Sequence, residues 1–443
     1  MSYASAIEQL KAMTPELYTH PGQPRRKFSL GEFGVLLGEL GDPQREVRAV
    51  LIAGTNGKGS TASTLASILT ACGLRTGLYT SPHLARVNER IRIGEAEIAD
   101  EDFARLFFHV QDAAKRLVAD GRLPQLPSFF EVLTGIGLLY FAEAKVDVAV
   151  LEVGMGGRLD ATNIVDPLIS VITDISLDHT EWLGSTIGAI TREKAGILRH
   201  GGTLITLPQL AEANQVLGEV ATELGIRGVN AAAYMPTMGA SAADSYMVEA
   251  LGERIDVASP LRGLHQQRNV ALAIAAAAEL KTAHGFPITP EAISDGIRQT
   301  RWPGRLEHIK KAGVEWILDV AHNPAGAWAL RAGLSGLEER RPRTLIFSCL
   351  RDKPMAEMAQ ILFPLFEQVI LAPIQSARAA SMAELEAAAR ATGIMTVRAE
   401  SVCEALKWAV DRERGGVVAV SGSVYLVGEA RSLLLDGELG GVE

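Results

Sequence analysis

The sequence of 443 residues is short of several things, and each shortage excludes a class of protein. It has three cysteines, Cys72, Cys349 and Cys403, odd in number and far apart. A disulfide framework is therefore not expected, and a reducing, cytoplasmic setting is. No CxxC pair or Cys/His cluster points to structural zinc. Basic residues are not in excess: 43 Lys plus Arg against 52 Asp plus Glu leave a net charge of −9, which speaks against nucleic acid as a partner. No stretch offers the roughly 18 clean apolar residues of a membrane span. The richest, residues 132–153, is interrupted by Glu143, Lys145 and Asp147. Residues 1–13 carry Glu8 and no long apolar core, unlike a signal peptide. There is no repeat period and no low-complexity tail.

What remains is an α/β pattern with 47% hydrophobic and 21% charged residues. Short apolar runs at 49–53, 76–79, 146–153, 168–175 and 203–207 read as buried strands. Periodic segments such as 60–72 and 101–119 read as helices between them. That alternation implies right-handed crossovers and a mostly parallel sheet. After residue 208 come a helix at 211–224, a small polar stretch at 239–244, and a hairpin of 246–250 and 254–257 around Gly252. An Ala-rich helix follows at 269–283. Two chain breakers in Arg301-Trp302-Pro303-Gly304-Arg305 mark a junction. Strands at 316–320, 344–349, 368–372 and 417–421 form a second α/β series. The expected domains are 1–300 and 301–443.

The segment Gly54-Thr55-Asn56-Gly57-Lys58-Gly59-Ser60-Thr61 follows a strand and opens a helix. Glycines there let backbone N–H groups turn around an anion, and the helix N-terminus adds partial positive charge. Lys58 can neutralise β/γ-phosphates, and Ser60 or Thr61 can offer a hydroxyl to Mg²⁺. The general phosphate-loop pattern is broken by Gly59, which separates the lysine from the hydroxyl. Ligands of open parallel sheets bind beyond the carboxyl ends of the strands. Ser81, Glu152 and His179 fall at such ends. Singly, Ser81 reads equally as a turn residue and His179 as a helix cap. Together, a hydroxyl, a carboxylate and an imidazole suit a hard divalent cation beside ATP phosphates.

Taken in order, these motifs resemble the folylpolyglutamate synthase family, including the bifunctional dihydrofolate synthases. The resemblance rests on residues 54–60, Thr80-Ser81-Pro82-His83-Leu84, 152–163, Asp178-His179 with Leu183-Gly184, and Glu193-Lys194-Ala195-Gly196-Ile197. It continues through 263–269, Trp302-Pro303-Gly304-Arg305, Asp319-Val320-Ala321-His322-Asn323-Pro324 and 422–427. The extra Gly59 is similar to that family's own loop. Two positions depart from its pattern. Met155 stands where Leu or Ile is usual, and Ser128-Phe129-Phe130 differs from the Thr-Tyr-Phe version of some bifunctional members.

The resemblance implies a P-loop NTPase-like ATPase domain with a smaller Rossmann-like C-terminal domain, and an active site in the cleft between. The implied activity is ATP-dependent ligation of L-glutamate to dihydropteroate, to reduced folates, or to both, through an acyl phosphate. Asn56, Gly57, Lys58, Gly59 and Ser60 would hold ATP, with Asn269, Arg305 and Asp319 completing its site. Ser81, Glu152 and His179 would hold Mg²⁺, at two sites, with Lys194 as an extra anionic ligand once carbamylated. Ser128, Phe129, Phe130, Leu159, Asp160 and Ala161 match the pterin-contacting segments. His322 and the Gly422-Ser423 turn would lie near the incoming glutamate, His322 as a candidate base. A monomer is expected. Two rivals stay open. A Mur-type peptide ligase would share the chemistry but expects a further N-terminal domain, and only 48 residues precede the first strand. A P-loop switch without ligation would explain 54–60 but not 265–269 or 319–324.

Overall fold

Why the central strands are buried on both sides follows from how β1 (Ala49–Ala53) divides its side chains. Ala49, Leu51 and Ala53 enter one apolar cluster and Val50 and Ile52 another, so helices cover both faces of its sheet. The computed structural model describes residues 2–13, 29–236, 245–335, 343–413 and 415–436. The small polar stretch 239–244 lies outside the described residues.

Beside β1 stand β2 (Thr76–Tyr79), β3 (Ile91–Ile93), β4 (Ala96–Glu97), β5 (Val148–Glu152), β6 (Pro167–Ile172), β7 (Thr203–Thr206) and β8 (Arg227–Asn230). Among the described residues they form one sheet in the order β4-β3-β2-β5-β1-β6-β7-β8. The pairs from β2 to β8 are parallel, and β3 and β4 add an antiparallel edge. The register aligns the carboxyl ends that matter: Ile52 pairs with Glu152, Ala53 with Ile172, and Tyr79 with Leu151. Chain leaving β1, β2, β5 and β6 therefore emerges on one edge. The hairpin of β9 (Tyr246–Ala250) and β10 (Glu253–Val257) stands apart.

The helix that leaves β1, Lys58–Ala71, is buried along most of its length. Gly296, in the helix Pro290–Gln299, lets it pack backbone to backbone. A Cβ at Gly296 would stand 2.6 Å from the Ile68 nitrogen, and Ser67 Oγ donates to the Gly296 carbonyl at 2.7 Å.

The second sheet contains β11 (Glu307–Lys311), β12 (Val314–Asp319), β13 (Thr344–Phe347), β14 (Gln368–Leu371), β15 (Met395–Arg398) and β16 (Val417–Ser421). Their order is β11-β12-β16-β13-β14-β15, parallel except for β11. Leu345 and Phe347 point into one apolar cluster and Ile346 into the other, the alternation of a sheet covered on both faces.

The chain divides into two units. The first holds Met1–Ser81, Val87–Ser259 and Arg268–Thr300; the second holds Pro82–Arg86, Pro260–Gln267 and Arg301–Glu443. Two short segments of the expected 1–300 domain thus cluster with the second unit. For Pro82–Arg86 the reason is packing: Leu84 joins an apolar cluster of the second unit, and a Cβ at Gly304 would stand 3.4 Å from it. No described helix is long and apolar enough to cross a membrane.

Candidate active site

The phosphate loop takes its shape from positive-φ glycines and from the chain that follows β6. Gly57, at φ 88°, caps the helix Lys58–Ala71. The N–H groups of Thr55 and Asn56 donate to the Asp174 carbonyl at 2.9 and 3.2 Å. Thr173 Oγ1 donates to the Asn56 carbonyl at 2.7 Å, Thr55 Oγ1 to the Ser176 carbonyl at 3.0 Å, and Asn56 Nδ2 to Ser176 Oγ at 3.2 Å. Asn269 closes the loop from another side, since a Cβ on Gly57 would overlap its carboxamide. Asn56, Gly57, Lys58, Gly59, Ser60 and Asn269 are therefore neighbours.

Two lysines converge on this loop. Lys58 Nζ donates to the carbonyls of Gly54 and Thr55, both at 3.2 Å. Lys194, 4% exposed near the end of the helix Ile187–Ala195, donates to the same Gly54 carbonyl at 2.7 Å. Burial, and secondarily the Lys58 ammonium, lower the Lys194 pKa from 10.5 to about 7, while Asp178 and Asp160 oppose the shift. Near neutrality a large share of Lys194 is thus the uncharged amine. Gly157 makes the approach possible: a Cβ there would stand 2.8 Å from the Lys194 carbonyl.

On the same sheet edge, the Ser81 N–H donates to buried Glu152 Oε2 at 3.0 Å, tying the chain after β2 to the end of β5. His179 adopts the left-handed region at φ 49°, with Nε2 3.9 Å from Asp178 Oδ1. Among the described residues no three His, Cys, Asp or Glu side chains form a metal cluster. The available donors are one carboxylate, one imidazole and hydroxyls. Such a set fits Mg²⁺, which completes its octahedron with phosphate oxygens and water, and does not fit a metal that needs an all-protein cage.

The segments expected at the pterin are built as caps and core. Ser128 and Glu131 form a capping box at the start of the helix Phe129–Glu143. Phe130 is buried, its ring 6.0 Å from that of Tyr79, whereas Phe129 is half-buried with the Arg90 guanidinium 5.3 Å from its ring. Asp160 accepts from the N–H of Thr162 at 2.9 Å, from Thr162 Oγ1 at 2.5 Å and from the Met155 N–H at 3.0 Å. Its carboxylate therefore shapes the turn that carries Leu159 and Ala161, and burial pushes its pKa up. A Cβ on Gly154 would stand 2.6 Å from Phe130 and 3.2 Å from Asp160 Oδ2, so that glycine joins the two segments.

Arg305, Asp319 and His322 form a separate group inside the second unit. Asp319 accepts from the N–H groups of Leu306 and Ala321, both at 2.9 Å. Burial raises its pKa, and Arg305 and His265 pull it back down. The Gly304 carbonyl accepts from the Val320 N–H at 3.0 Å, which fixes the Arg305 turn against the end of β12. His322 Nδ1 lies 2.9 Å from the Val320 carbonyl, an acceptor only, so Nδ1 is the donor, and in the neutral imidazole Nε2 holds the lone pair.

Several residues of these sites were not singled out from the sequence. Thr173, Asp174 and Ser176 frame the phosphate loop. In the second unit, Phe347 pairs with Ser421, so the residues that close β13 and β16 lie side by side. There the buried hydroxyls of Ser348 and Ser421 have no hydrogen-bond partner among the described residues. Lys353, 8% exposed, follows Ser348 in the same loop.

Known proteins share this architecture. A family profile described as "Mur ligase middle domain" matches residues 128–277, and one described as "Mur ligase, glutamate ligase domain" matches 304–424. The folylpolyglutamate synthase of Lacticaseibacillus casei is 36% identical over 411 residues, covering 91% of this chain and 94% of that protein. The chain belongs to the folylpolyglutamate synthase family. The dihydrofolate synthase/folylpolyglutamate synthase of Bacillus subtilis (strain 168) is 32% identical, covering 92% of this chain and 95% of that one. The structure of Escherichia coli FolC in complex with DHPP and ADP is 29% identical and superposes with a TM-score of 0.84 over 99% of both chains. That of Mycobacterium tuberculosis folylpolyglutamate synthase with ADP and AMPPCP gives 0.85 at 30% identity, over 98% of this chain and 99% of that one. The fold is the two-domain α/β architecture of Mur ligases, and the activity of the family is ATP-dependent ligation of glutamate to folates. A Mur-type peptide ligase and a switch without ligation both fit less well than these full-length matches.

Proposed function

We propose that this family member glutamylates dihydropteroate as well as reduced folates, in one active site and by one acyl-phosphate mechanism. The observation that carries the phosphoryl step is Lys58 at the first position of the helix that the loop opens, its Nζ donating to the Gly54 and Thr55 carbonyls. A lysine at such a helix start suits a substrate with several negative charges. A carboxylate is a poor electrophile. Transfer of the γ-phosphoryl group to the acceptor's free carboxylate, that of dihydropteroate or of the terminal glutamyl residue of a reduced folate, makes it reactive, and this step needs positioning and charge neutralisation more than covalent help. Asn56–Ser60 and Asn269 bind the nucleotide in this reading, and Arg305 and Asp319 are assigned to ATP as well.

Ser81, Glu152 and His179 are the residues assigned to Mg²⁺, which when bound supplies further neutralisation to the phosphate oxygens. Lys194 joins that set as a carbamate: its neutral amine adds to CO₂ and releases one proton, turning a would-be cation into an anion. Phe129, Phe130 and the 159–161 turn held by Asp160 are assigned to the pterin, and Ser128 to holding the phenylalanines at the helix start.

In the second step the glutamate amine attacks the acyl phosphate, and inorganic phosphate leaves. That amine must be neutral, and His322 Nε2 is the assigned acceptor of its proton. We place the glutamate carboxylates by Ser348, Ser421 and the Gly422-Ser423 turn, because unpaired buried hydroxyls are costly and a carboxylate would satisfy them. The test is ADP release, with product mass, in the presence of dihydropteroate or tetrahydrofolate, each with and without glutamate. Glutamate-dependent products from both acceptors are expected. Glutamylation of tetrahydrofolate alone would reduce the chain to a monofunctional polyglutamate synthase.

A further inference from the structure

The phosphate loop is held by backbone bonds to the Asp174 carbonyl, and Asp174 lies in irregular chain after β6, between Thr173, whose N–H donates to the Ala53 carbonyl, and Ile175, whose N–H donates to Gln209. Its carboxylate supplies a further restraint. Arg268 Nε lies 3.0 and 2.9 Å from the two Asp174 oxygens, and Arg268 Nη2 donates to Oδ1 at 2.6 Å. The same Nη2 donates to the Pro208 carbonyl at 3.0 Å, so the guanidinium also ties in the chain that follows β7. Arg268 sits in the long helix Leu264–His284, one residue before Asn269, which packs on Gly57. That helix thus braces the loop at two points.

The energetics say what such a pair is for. Both side chains keep about a third of their surface in water, at 29% and 36%. An ion pair so exposed adds little to global stability. Its planar, two-nitrogen geometry instead fixes orientation, which a lysine could not do. What it orients is the carbonyl on which the Thr55 and Asn56 amides are hung.

We propose that Arg268 is a positioning residue for nucleotide binding, acting through Asp174 on the phosphate loop. The proposal rests on the reading of residues 54–60 as the ATP phosphate site. It is tested by calorimetric titration of Mg-ADP into wild type, R268A, R268K, D174A and the double variant R268A/D174A. Thermal midpoints and the KM for glutamate are measured alongside. R268A and D174A should each weaken ADP binding about tenfold, a common size for one coupled pair. The double variant should be no weaker than either single one, and R268K should fall between R268A and wild type. Midpoints and the KM for glutamate should stay put. R268K carries the same test if R268A does not fold. Equal ADP binding by wild type and the Arg268 variants would overturn the proposal alone, as would a loss of thermal stability with ADP affinity unchanged. A wild-type chain that binds no ADP would overturn the reading of the loop itself, and the proposal with it.

Discussion

Replacing Lys194 by methionine should make the protein more stable in acid than in base, relative to wild type, while abolishing ligation. Burial and Lys58 bring the Lys194 pKa from 10.5 to about 7 in the native state. The unfolded chain keeps the ordinary value, so between those two pH values it binds one more proton than the native state does. Stability therefore rises with pH across that window, and the penalty is fully present below about pH 7. At pH 6 the native state carries the buried ammonium at a cost of about 5 kcal/mol. At pH 9 the native amine is neutral, and the remaining cost, stripping the proton from the unfolded-state lysine, is about 2 kcal/mol. Methionine pays neither. It does lose the 2.7 Å bond to the Gly54 carbonyl, but Lys58 still donates there at 3.2 Å, and whatever part of that loss changes with protonation is already contained in the shifted pKa. The slope, not the intercept, is diagnostic. Urea unfolding of both proteins in CO₂-free buffer without nucleotide should show the K194M advantage shrinking by about 3 kcal/mol from pH 6 to pH 9. An advantage that stays flat over this range would refute the claim that Lys194 is buried as a depressed amine.

Lys58→Ala should leave circular dichroism unchanged and lower ligation by about 10²–10³, the usual loss for one electrostatic contact to developing charge; near-normal turnover at saturating ATP would remove Lys58 from the site. Gly296→Ala should cost about 1–3 kcal/mol in urea unfolding, because a Cβ 2.6 Å from the Ile68 nitrogen meets backbone that cannot rotate away. In thiol titration of the native protein at pH 8, half-buried Cys403 should react readily. Cys349, fully buried with its thiol pushed up to about 12, should react only after denaturant is added.

The strands that could be read from the sequence are those buried on both faces. At β1, β5 and β13 every position is buried, and apart from Glu152 and Thr344 each shows as a run of Val, Ile, Leu, Ala or Phe. Among the unread strands, β4, β8, β11 and β15 are edges. Residues 227–230 of β8 are mostly exposed, as are the two residues of β4, and β15 is exposed at both ends. Such segments take their strand character from a neighbour's hydrogen bonds, which no apolar run announces. The exchange of Pro82–Arg86 between units was hidden for a related reason. A motif that begins at a strand end reads as one piece, and only the packing of Leu84 shows where it divides.

The site was legible wherever chemistry and local geometry share a signature, and illegible where they compete for one. Glycines with a lysine at a helix start have few other uses, and Gly57, Lys58 and Asn269 indeed meet. Ser128 shows the opposite case. A serine three residues before a glutamate is the pattern of a capping box, and Ser128 forms one, so its hydroxyl is already engaged by Glu131. Asp160 likewise spends its carboxylate on Thr162 and Met155. For both, a ligand-facing role must run through the backbone they shape. Ser348 and Ser421 are harder still. Each is an ordinary residue at the end of an apolar run, and nothing in either run says that its hydroxyl lacks a partner. That fact exists only once β13 and β16 are laid side by side, because hydrogen-bond satisfaction is a count over neighbours in space. Residues whose hydroxyls lack a partner among the described residues are therefore ones a one-dimensional reading misses, and here they stand where the second unit's sheet offers its carboxyl edge.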